Sequence, residues 1–136
     1  AINATRAAIE EGMVPGGGAT LVHLAEDLLK WSQENLNEDQ LAGSLIVQKA
    51  LVFPLKRIVQ NSGANGAVII KKVAAQSFNI GYDVNTGTLV DMFEAGIVDP
   101  AKVTRSALQN ATSIASMVLT TDCIIVDDLE EDSQDK

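Results

Sequence analysis

The sequence predicts a mainly α-helical fold, a helical bundle with one short β-hairpin and a C-terminal β-strand. Three observations carry this. Apolar residues recur at helical spacing through five or six segments. Two short extended runs flank a turn at Asn85-Thr86-Gly87. A β-branched run, Cys123-Ile124-Ile125-Val126, follows the longest helical pattern. The 136 residues suit one domain, and 46% apolar residues suffice for a real core. Aromatics are only 4%, so that core is built from Leu, Ile, Val and Ala.

Ala1 to Glu11 reads as a helix with Ile2, Ala4, Thr5, Ala8 and Ile9 along one side. No capping residue precedes it, so the expectation is a longer helix entered part-way. Gly12 is its stop. Met13 to Gly18 is a break, and Ala19 to Trp31 a second helix with Leu21, Leu24, Ala25, Leu28 and Leu29 on one face. Ser32 to Asn37 reads as a polar loop. A third helix runs from Glu38 to Phe53. Pro54 opens a fourth, to Asn61, because proline suits a first turn. Gly63 stops it, and Asn65 caps a fifth helix, Gly66 to Ala74, with Val68, Ile69 and Val73 inward.

The period then changes. Asn79 to Val84 and Thr88 to Val90 form the hairpin. Asp99, as N-cap, and Pro100 open the longest helix. Its stripe of Val103, Ala107, Leu108, Ala111, Ile114, Ala115 and Val118 reaches about Thr120. The run Cys123 to Val126 has no evident partner in the chain, so it is expected to pair with another chain or segment. The tail from Asp127 to Lys136 is expected to be disordered.

The net charge is −8, and the last ten residues hold −5 of it. This acidity argues against nucleic acid as a partner, because phosphate binding needs clustered Lys and Arg. No apolar run approaches a membrane span, and no signal peptide is visible. One Cys cannot form an internal disulfide and fits a reducing compartment. Asn3-Ala4-Thr5 and Asn110-Ala111-Thr112 match a glycosylation pattern but fall in predicted helices, and chance explains them.

Three features have the chemistry of a site. Gly16-Gly17-Gly18 precedes a helix whose N-terminus can attract an anion, yet no Lys-Ser or Lys-Thr follows, so it is not a phosphate loop of the Walker type. Taken alone, the triad reads first as a flexible linker. Asp83 and Asp99 are carboxylates at structural breaks, and taken alone Asp99 reads as a helix cap. His23 stands far from Cys123, with no metal set and no Ser-His-Asp or Cys-His arrangement, and reads as a surface or half-buried structural histidine. From the residues alone, the chain is a soluble, mostly helical, incomplete-looking domain.

Several stretches resemble group I chaperonins of the GroEL type. They are Ala4-Thr5-Arg6-Ala7-Ala8-Ile9-Glu10-Glu11-Gly12, Pro15-Gly16-Gly17-Gly18, the Gly81-Tyr82 hairpin, Asp99-Pro100-Ala101-Lys102-Val103-Thr104-Arg105-Ser106-Ala107-Leu108-Gln109, and Thr120-Thr121-Asp122-Cys123. The resemblance reaches Val126. It implies residues 1–12 as the end of an intermediate domain and its hinge. Residues 13–126 would be the C-terminal half of an equatorial, ATP-binding domain, and residues 127–136 an acidic tail.

The resemblance also implies a role for each matching residue. Gly17 would lie against the ribose, Asp83, Val84 and Asn85 would meet adenine, Ile97 would pack on the base, and Asp99 would accept from the ribose hydroxyls. The bacterial pattern has Asn-Ala-Ala where this chain has Asp83-Val84-Asn85, which replaces an amide donor with a carboxylate. No catalytic or metal-binding residue of the family falls in this segment. Mg and K ions are implied only for the whole subunit, and the isolated segment is expected not to hydrolyse ATP.

The implied partners are copies of the subunit in two stacked seven-membered rings, a co-chaperonin and unfolded polypeptides, the last two bound by domains outside this segment. No nucleic acid and no membrane are implied. Ring stacking would use Glu38, Lys56, Asn65, Ala67 and Val68. The acidic ending and Val14-Pro15 resemble plastid or cyanobacterial members, implying the plastid stroma, with a bacterial cytoplasm as the alternative. Two other readings stand beside this one: a small helical interaction module without nucleotide binding, and a stand-alone nucleotide-binding protein.

Overall fold

The computed structural model describes residues 1–121. The elements run α1 (Ile2–Glu11), β1 (Met13–Pro15), α2 (Ala19–Asn35), α3 (Glu38–Leu51), α4 (Phe53–Asn61), α5 (Gly66–Ala74), β2 (Ile80–Asp83), β3 (Thr88–Asp91), β4 (Val98–Pro100) and α6 (Ala101–Thr120). The chain divides into one compact unit, Ala1–Thr104, and a second from Arg105 onward. Cys123 to Val126 and the acidic tail lie outside the described residues.

In the first unit the core is aliphatic, as the composition predicts. Ala19, Val22, Leu55, Val59 and Val73 are buried together with Tyr82, the one aromatic among them. These side chains come from α2, α4, α5 and β2, so the core seats the hairpin on three helices. Ile69, Ile70, Val84 and Leu89 pack around it. The expectation for Val68 is corrected. It is 45% exposed, and Ile69 and Ile70 take the inward positions.

Helix boundaries differ where a polar residue is buried. Helix α2 continues through Ser32 to Asn35, although the polar run predicts a loop. Ser32 is fully buried and its hydroxyl pairs with that of Ser44 on α3, which also accepts from Gln48 at 3.1 Å. A satisfied hydroxyl against a neighbouring helix lets the helix run on. Asn37 then caps α3 by a reciprocal box with Gln40. Only Val52 separates α3 from α4, and Pro54 lies in the first turn of α4. Asn65 caps α5 as predicted, accepting from Ala67 and Val68.

The hairpin β2–β3 pairs antiparallel with Ile80 opposite Asp91 and Asp83 opposite Thr88. A second antiparallel pair was not anticipated: β1 joins β4, with Met13 opposite Pro100 and Pro15 opposite Val98. This corrects the helix-cap expectation for Asp99, which lies on β4 opposite Val14, while α6 begins at Ala101. In the second unit, α6 continues as one helix from Arg105, with the Thr112 hydroxyl donating back to the Leu108 carbonyl at 2.8 Å. No described helix is long and apolar enough to cross a membrane.

Candidate functional site

The β1–β4 pair brings the glycine triad to the segment carrying Ile97 and Asp99. Its ladder extends at both ends. The Gly16 N–H donates to the Ile97 carbonyl at 2.9 Å, and the Ala101 N–H donates to the Gly12 carbonyl at 3.0 Å. A Cβ added at Gly16 would lie 3.1 Å from the Ile97 carbonyl oxygen, so this backbone approach depends on the missing side chain.

The triad is a fixed turn rather than a flexible linker. Gly17 and Gly18 hold φ values of +62° and +81°, in the left-handed region that glycine enters freely. From the helix side, the Thr20 hydroxyl donates to the Pro15 carbonyl at 2.7 Å and closes the loop. Gly18 is pressed against the start of α4, and Gly17 lies beside Met92 and Ile97. Its absent Cβ would meet the Met92 methyl at 3.4 Å and a methyl of Ile97 at 3.8 Å.

Met92 is the link that sequence reasoning missed. It is fully buried, its methyl lies 3.4 Å from where a Cβ at Gly17 would be, and it is so close to Gly81 that a Cβ there would be 2.8 Å from its sulfur. It therefore ties the triad to the root of the hairpin. The chain then turns from β3 into β4 through a loop held by Asp91, whose Oδ1 accepts from the Phe93 and Glu94 N–H groups at 2.9 and 3.1 Å. The Ile97 N–H closes this loop onto the Met92 carbonyl at 2.9 Å. Asp91 followed by Gly96 is a turn signal of ordinary kind, but nothing in the sequence marks Met92 as the wedge.

The hairpin turn lies at the other end of β2. Asp83 is two residues beyond Gly81, about 7 Å along a strand. Its Oδ1 accepts from the Asn85 N–H at 2.9 Å and its Oδ2 from the Thr86 hydroxyl at 3.1 Å. Val84 packs towards the core and Asn85 is exposed. The structure thus joins Gly17, Ile97 and the strand of Asp99 directly, and connects Asp83, Val84 and Asn85 to them through one short strand and Met92. Asp99 is exposed, available to a ligand and not consumed in capping α6.

His23 has a structural role, but it is buried, where the sequence predicts a surface or half-buried position. It is buried on α2, with Nε2 at 2.9 Å from the Ile80 carbonyl and its ring against Phe78. A carbonyl can only accept, so Nε2 carries the proton. The residue clamps the helix that follows the triad to the strand that leads into the hairpin turn. Among the described residues no group of three or more His, Cys, Asp or Glu gathers to hold a metal. An open recess along α1, lined by Ile2, Thr5 and Ile9, contains none of the candidate residues.

Comparison with known proteins extends across the chain. The sequence model of the TCP-1/cpn60 chaperonin family matches residues 1–128. A chloroplastic chaperonin GroEL of Trieres chinensis is 65% identical over 130 residues, which is 96% of this chain and 25% of that protein. A crystal structure of a group III chaperonin in the open state superposes with a TM-score of 0.80 at 30% identity, over 88% of this chain and 25% of that one. The chain spans about a quarter of the length of the relatives it matches.

Proposed function

The chain belongs to the TCP-1/cpn60 chaperonin family, and we propose that it supplies the nucleoside side of an ATP site in a subunit that assists polypeptide folding. The observation that carries this reading is the junction of Gly17 with Ile97 beside the strand of Asp99, made by the β1–β4 ladder and backed by Met92. A bare glycine permits close approach of a sugar. An aliphatic side chain offers a flat base an apolar surface, and an exposed carboxylate accepts from two hydroxyls. Gly17 lies at the ribose, Asp99 holds its hydroxyls, Ile97 packs on the base, and the turn at Asp83, Val84 and Asn85 closes over adenine.

ATP turnover, the phosphate and Mg and K sites, and capture of polypeptides belong to the rest of the subunit in this reading. Nucleotide binding here serves a homo-oligomer of two stacked seven-membered rings that works with a co-chaperonin. Glu38, Asn65, Ala67 and Val68 are exposed and Lys56 is half-buried, which suits them to ring contacts. The exposure of Val68, unexpected for an inward position, is accounted for by such a contact. The proposed compartment is the plastid stroma, supported by the chloroplastic relative; a bacterial cytoplasm is the alternative. A helical interaction module without nucleotide binding is not favoured, because the family match covers nearly the whole chain.

The test is photolabelling of the complete subunit with an azido-adenine analogue of ATP, followed by peptide mapping. Labels are expected between Tyr82 and Asp99 and should be displaced by ATP. Displaceable labelling confined to other segments would sink the assignment.

A further inference from the structure

We propose that Asp83 fixes the turn that meets the base and does not itself touch the base; this rests on the nucleoside reading above. In the bacterial pattern an amide stands at this position, so a carboxylate here asks for its own account. Both of its oxygens are engaged inside the loop. Oδ1 accepts from the main-chain N–H of Asn85 and Oδ2 from the hydroxyl of Thr86. The main-chain carbonyl of Asp83 accepts from the Gly87 N–H at 2.8 Å. Asp83 therefore grips three of the four residues between β2 and β3.

The proton inventory gives the network a direction. An ionised carboxylate only accepts, so the single hydroxyl proton of Thr86 goes to Asp83. The Thr86 oxygen also lies 2.9 Å from the Thr88 hydroxyl, which must then be the donor of that pair. Thr88 donates to Thr86 and Thr86 donates to Asp83. Strand alternation puts Asp83 on the same side as Gly81, the glycine that lies against Met92. Its location would allow contact with a base. The two loop bonds aim the carboxylate at Asn85 and Thr86. Each oxygen keeps a second lone pair, but turning either one outward to a base forfeits a bond that closes the loop. Contact with the base falls to the main chain of Val84 and to Asn85, in a loop ordered before binding, which lowers the entropy lost when ligand arrives.

The experiment uses the complete subunit and two probes: ATP, and the triphosphate of purine riboside, which lacks the 6-amino group. Dissociation constants are measured for wild type, Asp83→Ala, Thr86→Val and Asp83→Asn. Asp83→Ala is expected to weaken both nucleotides by the same factor, roughly three- to ten-fold. Thr86→Val follows in the same direction with a smaller loss. Asp83→Asn stays near wild type for both, since its Oδ1 still accepts from Asn85 and its amide can donate to Thr86. A loss confined to ATP would place Asp83 on the amino group and overturn the inference while leaving the nucleoside site intact. Unchanged affinity of Asp83→Ala for both probes overturns it as well. If wild type binds neither nucleotide, the nucleoside reading falls and takes this inference with it.

Discussion

Replacing Gly17 and Gly18 in turn by Ala separates a glycine needed by the ligand from a glycine needed by the fold. Both sit at positive φ, where an L side chain costs about 1–2 kcal/mol. Part of this, about 0.4–1 kcal/mol, is recovered because Ala restricts the unfolded chain. Gly17→Ala places its methyl 3.4 Å from Met92 and 3.8 Å from Ile97, at ordinary contact, so its net cost is about 1 kcal/mol. Gly18→Ala places its methyl 2.8 Å from the Leu55 backbone nitrogen and 3.0 Å from its Cα. Leu55 is fully buried and lies in the first turns of α4, so a helix backbone must give way. Overpacking of this kind adds about 1–3 kcal/mol, for a total of about 2–4. The assay is amide hydrogen exchange on the complete subunit, read over α2 and α4. Exchange should accelerate about five-fold in Gly17→Ala and roughly 30- to 1,000-fold in Gly18→Ala. Nucleotide affinity should show the reverse specificity: Gly17→Ala loses about ten-fold or more while remaining folded, since its methyl takes up space beside Ile97. Equal exchange in the two variants would show that α4 does not press on Gly18. Full nucleotide affinity in Gly17→Ala would remove Gly17 from the ribose.

The other predictions are shorter. Asp99→Ala in the complete subunit should weaken nucleotide binding by roughly ten-fold or more, the scale of a lost charge-assisted hydrogen bond, and change the saturated hydrolysis rate far less. Because Asp99 does not cap α6, circular dichroism of this variant should match wild type, and loss of helix would refute the strand placement. Ser44→Ala should destabilise the α2–α3 pair by about 1–3 kcal/mol, read by denaturant midpoint, because it leaves the buried Ser32 hydroxyl without its partner. Among the proposed ring-contact residues, Lys56 and Asn65 form no charge pair, so the complete subunit should show single rings at low concentration in mass photometry. Asn65→Asp keeps the helix cap and should shift the population towards double rings; double rings at every dilution in wild type would count against the idea.

The helices were legible because each is written locally. Asn65 is a cap that the sequence reveals, and Gly12 and Gly63 stop helices through conformations that few other residues adopt. The hairpin was equally plain from Asn85-Thr86-Gly87. Errors fell where a distant partner decides the outcome. Ser32 reads as loop until the Ser44 hydroxyl is opposite it. Val68 reads as inward until Ile69 and Ile70 fill the core side of α5.

The candidate site was legible as residues but not as an arrangement, and β1 is the reason. Met13-Val14-Pro15 has three residues and ends in proline, so no periodicity can announce a strand there. Its partner, Val98-Asp99-Pro100, reads more strongly as a helix entry, since Asp-Pro is a good start for a helix. Each segment is a strand only because the other is. That mutual dependence has a functional consequence: a change in how α1 enters through Gly12 acts on β1, and β1 aligns Gly17 with Ile97 and Asp99. The short strand pair, more than any one side chain, sets whether the proposed ribose and base contacts exist together. Weakening it, for instance by Val14→Gly, should lower nucleotide affinity although Val14 is no candidate contact. A wild-type dissociation constant for Val14→Gly would show that the triad and Ile97 are held in register by the loop bonds at Gly16 and Met92 alone.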